Sequence, residues 1–269
     1  MNGPNKTLRF VALALGYGFL YVPIFCLVAF SFNQSAVLTS WSGFSLRWYT
    51  SLLHDDALLS AALLSFKIAL LAATAATIVG TWAGYVLARM RRFRGFALYV
   101  GMLSAPLVIP EVVLGISLLL LFVEMRGTLG WPEKNGLLTI WVGHVILCMS
   151  YVAVIIQARV RDLDRSLEEA ALDLGATPLK VFFAITLPLI APSLVSGWLL
   201  SFTLSLDDVV TSSFLSGPGA STLPMEVFSR VRLGLKPEVN ALATLFILAV
   251  GIFVVVANRL QWRKEKSAS

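Results

Sequence analysis

Glu169-Ala170-Ala171, then Gly175, then Ile185-Thr186-Leu187-Pro188 mark one organised polar stretch between two strongly apolar runs. Leu167, Ala170, Ala171 and Leu174 recur at helical spacing and define one face. Ser166 and Glu169 stand three apart, as in a capping box, and predict a helix start there. Gly175 ends that helix, because glycine readily takes the left-handed conformation that closes a helix. Thr177-Pro178 can open another, with proline in the first turn. The expected product is a short amphipathic helix, a sharp turn and a second helix, flush with a membrane. Such a helix by itself reads as an ordinary amphipathic loop; the spacing of the whole stretch carries the sharper reading.

The flanking runs define the environment. The chain has 269 residues, 58% of them hydrophobic and 13% charged, with a mean hydropathy of +0.83. Soluble domains carry about 25% charged residues, so this is an integral membrane protein, neither disordered nor a soluble enzyme. The net charge of +6 follows from membrane orientation and does not point to nucleic acid. Cys26 and Cys148 lie inside apolar runs and read as buried thiols, with no disulfide framework and no metal site. His54 and His144 lack ligand spacing and read as structural. Lys6 and Arg9 precede an apolar run that continues to about Phe32, long enough to span, so it reads as a retained first helix.

An all-α membrane fold of six helices is expected, over 10–32, 59–88, 96–123, 137–158, 188–211 and 239–258. Trp41, Trp48 and Tyr49 in the segment after the first helix suit a membrane interface. With these spans, one side holds Lys6, Arg9, Arg89, Arg91, Arg92, Arg94, Arg159, Arg161, Arg165, Lys180, Arg259, Arg263, Lys264 and Lys266. The other holds Arg47, Arg126, Lys134, Arg230, Arg232 and Lys236, while Lys67 falls inside a span. Fourteen against six places both termini and the Glu169 loop in the cytoplasm by the positive-inside rule. Arg89-Met90-Arg91-Arg92-Phe93-Arg94 serves as topology signal and lipid-phosphate contact. The expected parts are 1–58, an arm with the first helix and an outer segment; 59–258, the permeation core; and 259–269, a cytoplasmic tail.

Charged groups inside a bilayer cost about 2.5–3.5 kcal/mol on insertion scales and default to functional candidates. Glu111 lies in the third run, just after Pro106 and Pro110 disturb the backbone. It reads either as a cation contact in a pathway or as a helix-packing acid. Asp207 and Asp208 lie near the outer end of the fifth run and read either as pathway or as interfacial groups. Adjacent helical residues point about 100° apart, so both reach one cavity only if the helix breaks nearby. Ser216-Gly217-Pro218-Gly219 is the expected break. Trp82, Tyr85, Trp141, Tyr151 and Trp198 read mainly as packing or belt residues.

Glu-Ala-Ala, three residues, Gly, nine residues, Ile-x-Leu-Pro resembles the cytoplasmic loop of bacterial ABC-importer permeases at every fixed position. Ser205-Leu206-Asp207-Asp208-Val209-Val210, Ser213-Phe214, Gly217-Pro218-Gly219, Thr222-Leu223-Pro224 and Pro106–Val113 resemble the second permease subunit of the spermidine/putrescine branch. The resemblance covers about residues 10–258 and implies a type I importer permease fold in a bacterial inner membrane. It implies that Glu169, Ala170, Ala171, Leu174 and Gly175 form a coupling helix seated in a groove of an ATPase. It implies four partners: two copies of that cytoplasmic ATPase, which hold the ATP and magnesium, a sister permease and a periplasmic polyamine-binding protein. No cofactor and no catalytic residue is expected here, in keeping with the lack of a Gly-x-x-x-x-Gly-Lys-Ser/Thr loop. Glu111, Asp207 and Asp208 would then offer negative charge to a polycation. Permeases for other cations or small solutes, a secondary cation transporter, and an intramembrane protease remain the competing readings.

Overall fold

Ala72, Ala76, Gly80, Gly84 and Ala88 recur at every fourth position of the helix Asp56–Arg89, and all five are buried. Small residues at that spacing let two backbones approach closely inside a membrane, where packing drives association. The neighbour is the helix Leu137–Asp162. A Cβ on Gly84 would meet the Ala153 carbonyl and the Gln157 nitrogen, and one on Gly80 would meet Val152 and the Met149 carbonyl.

The computed structural model describes residues 6–35, 40–90, 93–233, 237–248 and 251–252. Its helices are α1 (Lys6–Phe30), α2 (Arg47–Leu53), α3 (Asp56–Arg89), α4 (Phe96–Val108), α5 (Glu111–Leu129) and α6 (Leu137–Asp162). They continue with α7 (Arg165–Asp173), α8 (Pro178–Val181), a π-helical turn (Phe182–Thr186), α9 (Leu187–Asp207), α10 (Val210–Leu215), α11 (Leu223–Leu233) and α12 (Pro237–Leu248). Five helical stretches among the described residues are long and apolar enough to cross a membrane: Arg9–Phe30, Asp56–Arg89, Glu111–Leu129, Leu137–Asp162 and Pro178–Asp207.

Two expectations change, and a third lies partly outside the described residues. The run 96–123 is two helices, because Ile109 (ψ 134) and Pro110 (ψ 136) are extended. Proline removes an N–H and pushes the residue before it out of helical space. The run 188–211 stops at Asp207, where Asp208 takes ψ 121, and resumes as α10. The break therefore lies at 208–209, ahead of the glycines and proline at 216–219. The run 239–258 begins in α12; positions 249–250 and 253–258 lie outside the described residues.

The chain divides into two units, Ser60–Glu226 and the pair Met1–Leu59 with Val227–Ser269. In the first, α6 is the hub. Its Val152, Ile156 and Val160 pack with Ala88 and Ile190, its Ala153 with Ala83, Leu87 and Leu103, and its Ile140 with Leu118, Phe122 and Leu215. In the second unit, buried Asn33 organises the segment after α1. Its amide donates to the Ser40 carbonyl (2.7 Å), and the Trp48 indole donates to its backbone carbonyl (2.7 Å). Arg230 grips both oxygens of Asp55 and holds that carboxyl below the usual carboxylate range. Cys148 is buried, but Cys26 is exposed on α1, contrary to the sequence expectation.

Candidate functional site

The loop between α6 and α9 is built from backbone outward. The Asp164 carboxylate, not a Ser166–Glu169 capping box, caps α7 by accepting from the Ser166 N–H at 2.9 Å. That hydrogen bond lowers the Asp164 pKa. Asp164 wins because its short side chain reaches the second residue of the helix from an extended backbone. At the other end, the Ala176 N–H reaches the Ala171 carbonyl (3.1 Å) and the Gly175 N–H reaches Leu172 (2.9 Å). This is a Schellman closure, with Gly175 at φ +83. A Cβ on Gly175 would meet nothing within 4 Å, so conformation and not crowding requires glycine. Thr177 then caps α8, whose first residue is Pro178. The π turn follows, with the Leu187 N–H reaching the Phe182 carbonyl. That wider turn accommodates Pro188, which lacks an N–H and crowds the preceding turn.

The two faces of this loop differ. Glu169, Ala170 and Leu174 are exposed and Ala171 is half-buried. Leu174 is 89% exposed, and Leu167, Leu172 and Leu179 are also open. No residue of α7 is fully buried. Glu168 turns inward, with its side chain only 14% exposed. Arg89 Nη2 donates to Glu168 Oε1 at 3.0 Å, Arg89 Nε lies 3.0 Å from Oε2, and Thr186 Oγ1 donates to Oε1 at 2.8 Å. Beside them Phe182 stacks on Trp82 (4.6 Å) and meets Tyr85 edge-on (5.1 Å). The sequence reading missed Glu168 and took Arg89 as a topology signal. No sequence signal separated Glu168 from its neighbour Glu169; in the structure Glu168 shares a helical face with half-buried Ala171.

The three candidate acids do not form one cluster. Glu111 is exposed in the first turn of α5, where a carboxylate suits the positive helix end. Asp207 is exposed at the end of α9. Asp208 is turned in, with its side chain 5% exposed. It accepts from the Thr211 N–H (2.9 Å) and Ser212 N–H (3.2 Å) and lies 3.0 Å from His144 Nε2. His144 in turn contacts Ser205 Oγ (2.7 Å) and Ser212 Oγ (3.0 Å). Asp208 and His144 thus bridge the break between α9 and α10. Thr139 donates to the Leu215 carbonyl (2.6 Å) and fixes the far end of α10. Gly115 brings α5 against Phe214 of α10, yet no hydrogen bond or ion pair among the described residues joins Glu111 to either aspartate. Trp198 donates to Thr74 (3.2 Å) and stacks on Phe202, which makes it a packing residue.

Residues 76–266 match the family described as binding-protein-dependent transport system inner membrane component. The chain is 60% identical to the putrescine transport system permease protein PotI of Escherichia coli (strain K12), covering 96% of this chain and 92% of that protein. It is 44% identical to the spermidine/putrescine transport system permease protein PotC of Haemophilus influenzae, covering 96% and 97%. Its fold resembles a crystal structure of a bacterial ABC transporter that imports the acidic polysaccharide alginate, with TM-score 0.73, 17% identity, and 96% and 99% coverage.

Proposed function

The chain belongs to the binding-protein-dependent transport system inner membrane component family, and on that premise we propose that it is the permease subunit of an ATP-driven polyamine importer, for putrescine or spermidine. Likeness to putrescine and spermidine/putrescine permeases along nearly the whole chain is the observation that carries this reading. The subunit supplies the membrane passage; ATP hydrolysis belongs to a separate subunit.

The loop α7–Gly175–α8 is the coupling element. Its exposed Leu167, Leu172, Leu174 and Leu179 offer an aliphatic surface; exposed Ala170 keeps the helix slim enough to seat in a groove, while half-buried Ala171 lets its other face lie close to the membrane unit. Glu169 is exposed and points a charge at the same partner. That partner is a cytoplasmic ATPase dimer holding ATP and magnesium; a sister permease and a periplasmic binding protein complete the assembly. The basic-residue asymmetry supports a cytoplasmic side for this loop and both termini.

Glu111 and Asp207 are the groups available to a polyammonium substrate. Fixed carboxylates replace part of the water such a cation sheds, and unit charges attract more strongly in low dielectric than in water. The site must stay weak, because a deep well would trap the substrate. Asp208 serves the pathway indirectly, by holding the break between α9 and α10.

The test is uptake of labelled putrescine and spermidine by proteoliposomes that contain this chain, its ATPase, its sister permease and the binding protein. ATP-dependent uptake that also requires the binding protein is expected. Uptake that persists without ATP and collapses with an uncoupler would make the chain a secondary transporter.

A further inference from the structure

We infer that Glu168, not its motif neighbour Glu169, ties the coupling helix to the two spans that it must move, so that α7, α3 and α9 shift as one lever. The inference rests on α7 being the coupling helix. A nine-residue helix with no fully buried residue has little apolar anchorage of its own, and helices so short are marginal in isolation. Pressure from a partner would deform such a helix or slide it along the membrane face before it moved a span. One carboxylate prevents this. Glu168 accepts from Arg89, the last residue of α3, and from Thr186, in the π turn that opens α9. Arg89 is 10% exposed on its side chain and Thr186 is fully buried. Hydrogen bonds between charged partners are the strong ones, and salt screens them less when they are withdrawn from water.

The aromatic contacts beside the pair make the same connection. Phe182 and Phe183, in the π turn, pack on Trp82, and Phe182 also packs on Tyr85, both of α3. These rings hold the start of α9 to α3. The Glu168 carboxylate adds a charged, hydrogen-bonded tie from α7 to both parts of that joint. Glu168 is therefore a positioning residue for coupling. Glu169 on the outer face is left to the partner.

The experiment uses the full transporter in proteoliposomes and measures substrate imported per ATP hydrolysed, with ATPase co-purification scored separately. Glu168→Gln keeps the shape and removes the charge. It should leave the ATPase subunit bound and lower import per ATP about ten-fold, within the range typical of coupled sites. Thr186→Val removes only the link to α9 and should lower the ratio in the same direction by less. It decides the matter if Glu168→Gln fails to assemble. Wild-type ratios in the assembled variants, even with lowered thermal stability, would make the ion pair merely structural and overturn the lever. Failure of the unaltered chain to hold any ATPase would overturn the importer reading, and the lever with it.

Discussion

Gly175 demands a backbone shape and not a space. Its φ of +83 costs an L-residue roughly 1–2 kcal/mol, while the surroundings would admit a side chain. Gly175→Asn should therefore keep most uptake, since asparagine tolerates the left-handed region. Gly175→Val should lose both uptake and ATPase co-purification while still inserting in the membrane. Equal activity in the two variants would refute the conformational account. The acids separate in the same way. Asp208→Asn replaces the buried carboxylate that accepts from Thr211 and Ser212 and faces His144; hydrogen bonds to charged groups contribute about 1.5–3 kcal/mol, so the thermal midpoint should fall. Glu111→Gln and Asp207→Asn remove exposed charges and should slow uptake with little change in the midpoint. Wild-type uptake in both of these would remove the two acids from the pathway.

At the scale of elements, α3 approaches α6 backbone to backbone. The Ala153 carbonyl stands where a Gly84 Cβ would go, and backbone gives way less readily than a side chain. Gly84→Ala should destabilise by about 1–3 kcal/mol, as overpacking does. Gly127→Ala in α5 is the control: no atom lies within 4 Å of its Cβ position, and loss of glycine from a helix is neutral or mildly stabilising. Thermal unfolding in detergent checks both, and equal shifts would mean that the small-residue ladder does not set the helix spacing. Elements also explain what periodicity concealed. An unbroken apolar run looks the same whether it forms one helix or two, so 96–123 read as a single span. The two prolines were visible, but their consequence at Ile109 and Pro110 depends on backbone angles.

For the whole molecule, orientation is the testable property. Ser42, Ser166 and Ser221 are all exposed, so each reports its compartment once replaced by cysteine. The background must lack Cys26, which is itself exposed. Ser42→Cys and Ser221→Cys should react with an impermeant thiol reagent on intact cells, and Ser166→Cys only after the membrane is opened. Labelling of Ser166→Cys alone on intact cells would invert the orientation and put the proposed coupling loop out of reach of ATP.

The sequence by itself determined the membrane class, because apolar runs of spanning length have no other stable solvent. It also determined the helix-turn-helix between α6 and α9, because Gly175, Thr177 and Pro178 act through local backbone rules. Family membership was legible too, since fixed residues at fixed spacing survive without any coordinates. Only the tertiary structure decided which of two adjacent glutamates faces inward, and which of two adjacent aspartates is buried. Neighbouring residues share nearly the same composition and local propensity. Their roles separate when a distant partner arrives: Arg89, seventy-nine positions from Glu168, and His144, from another helix, beside Asp208.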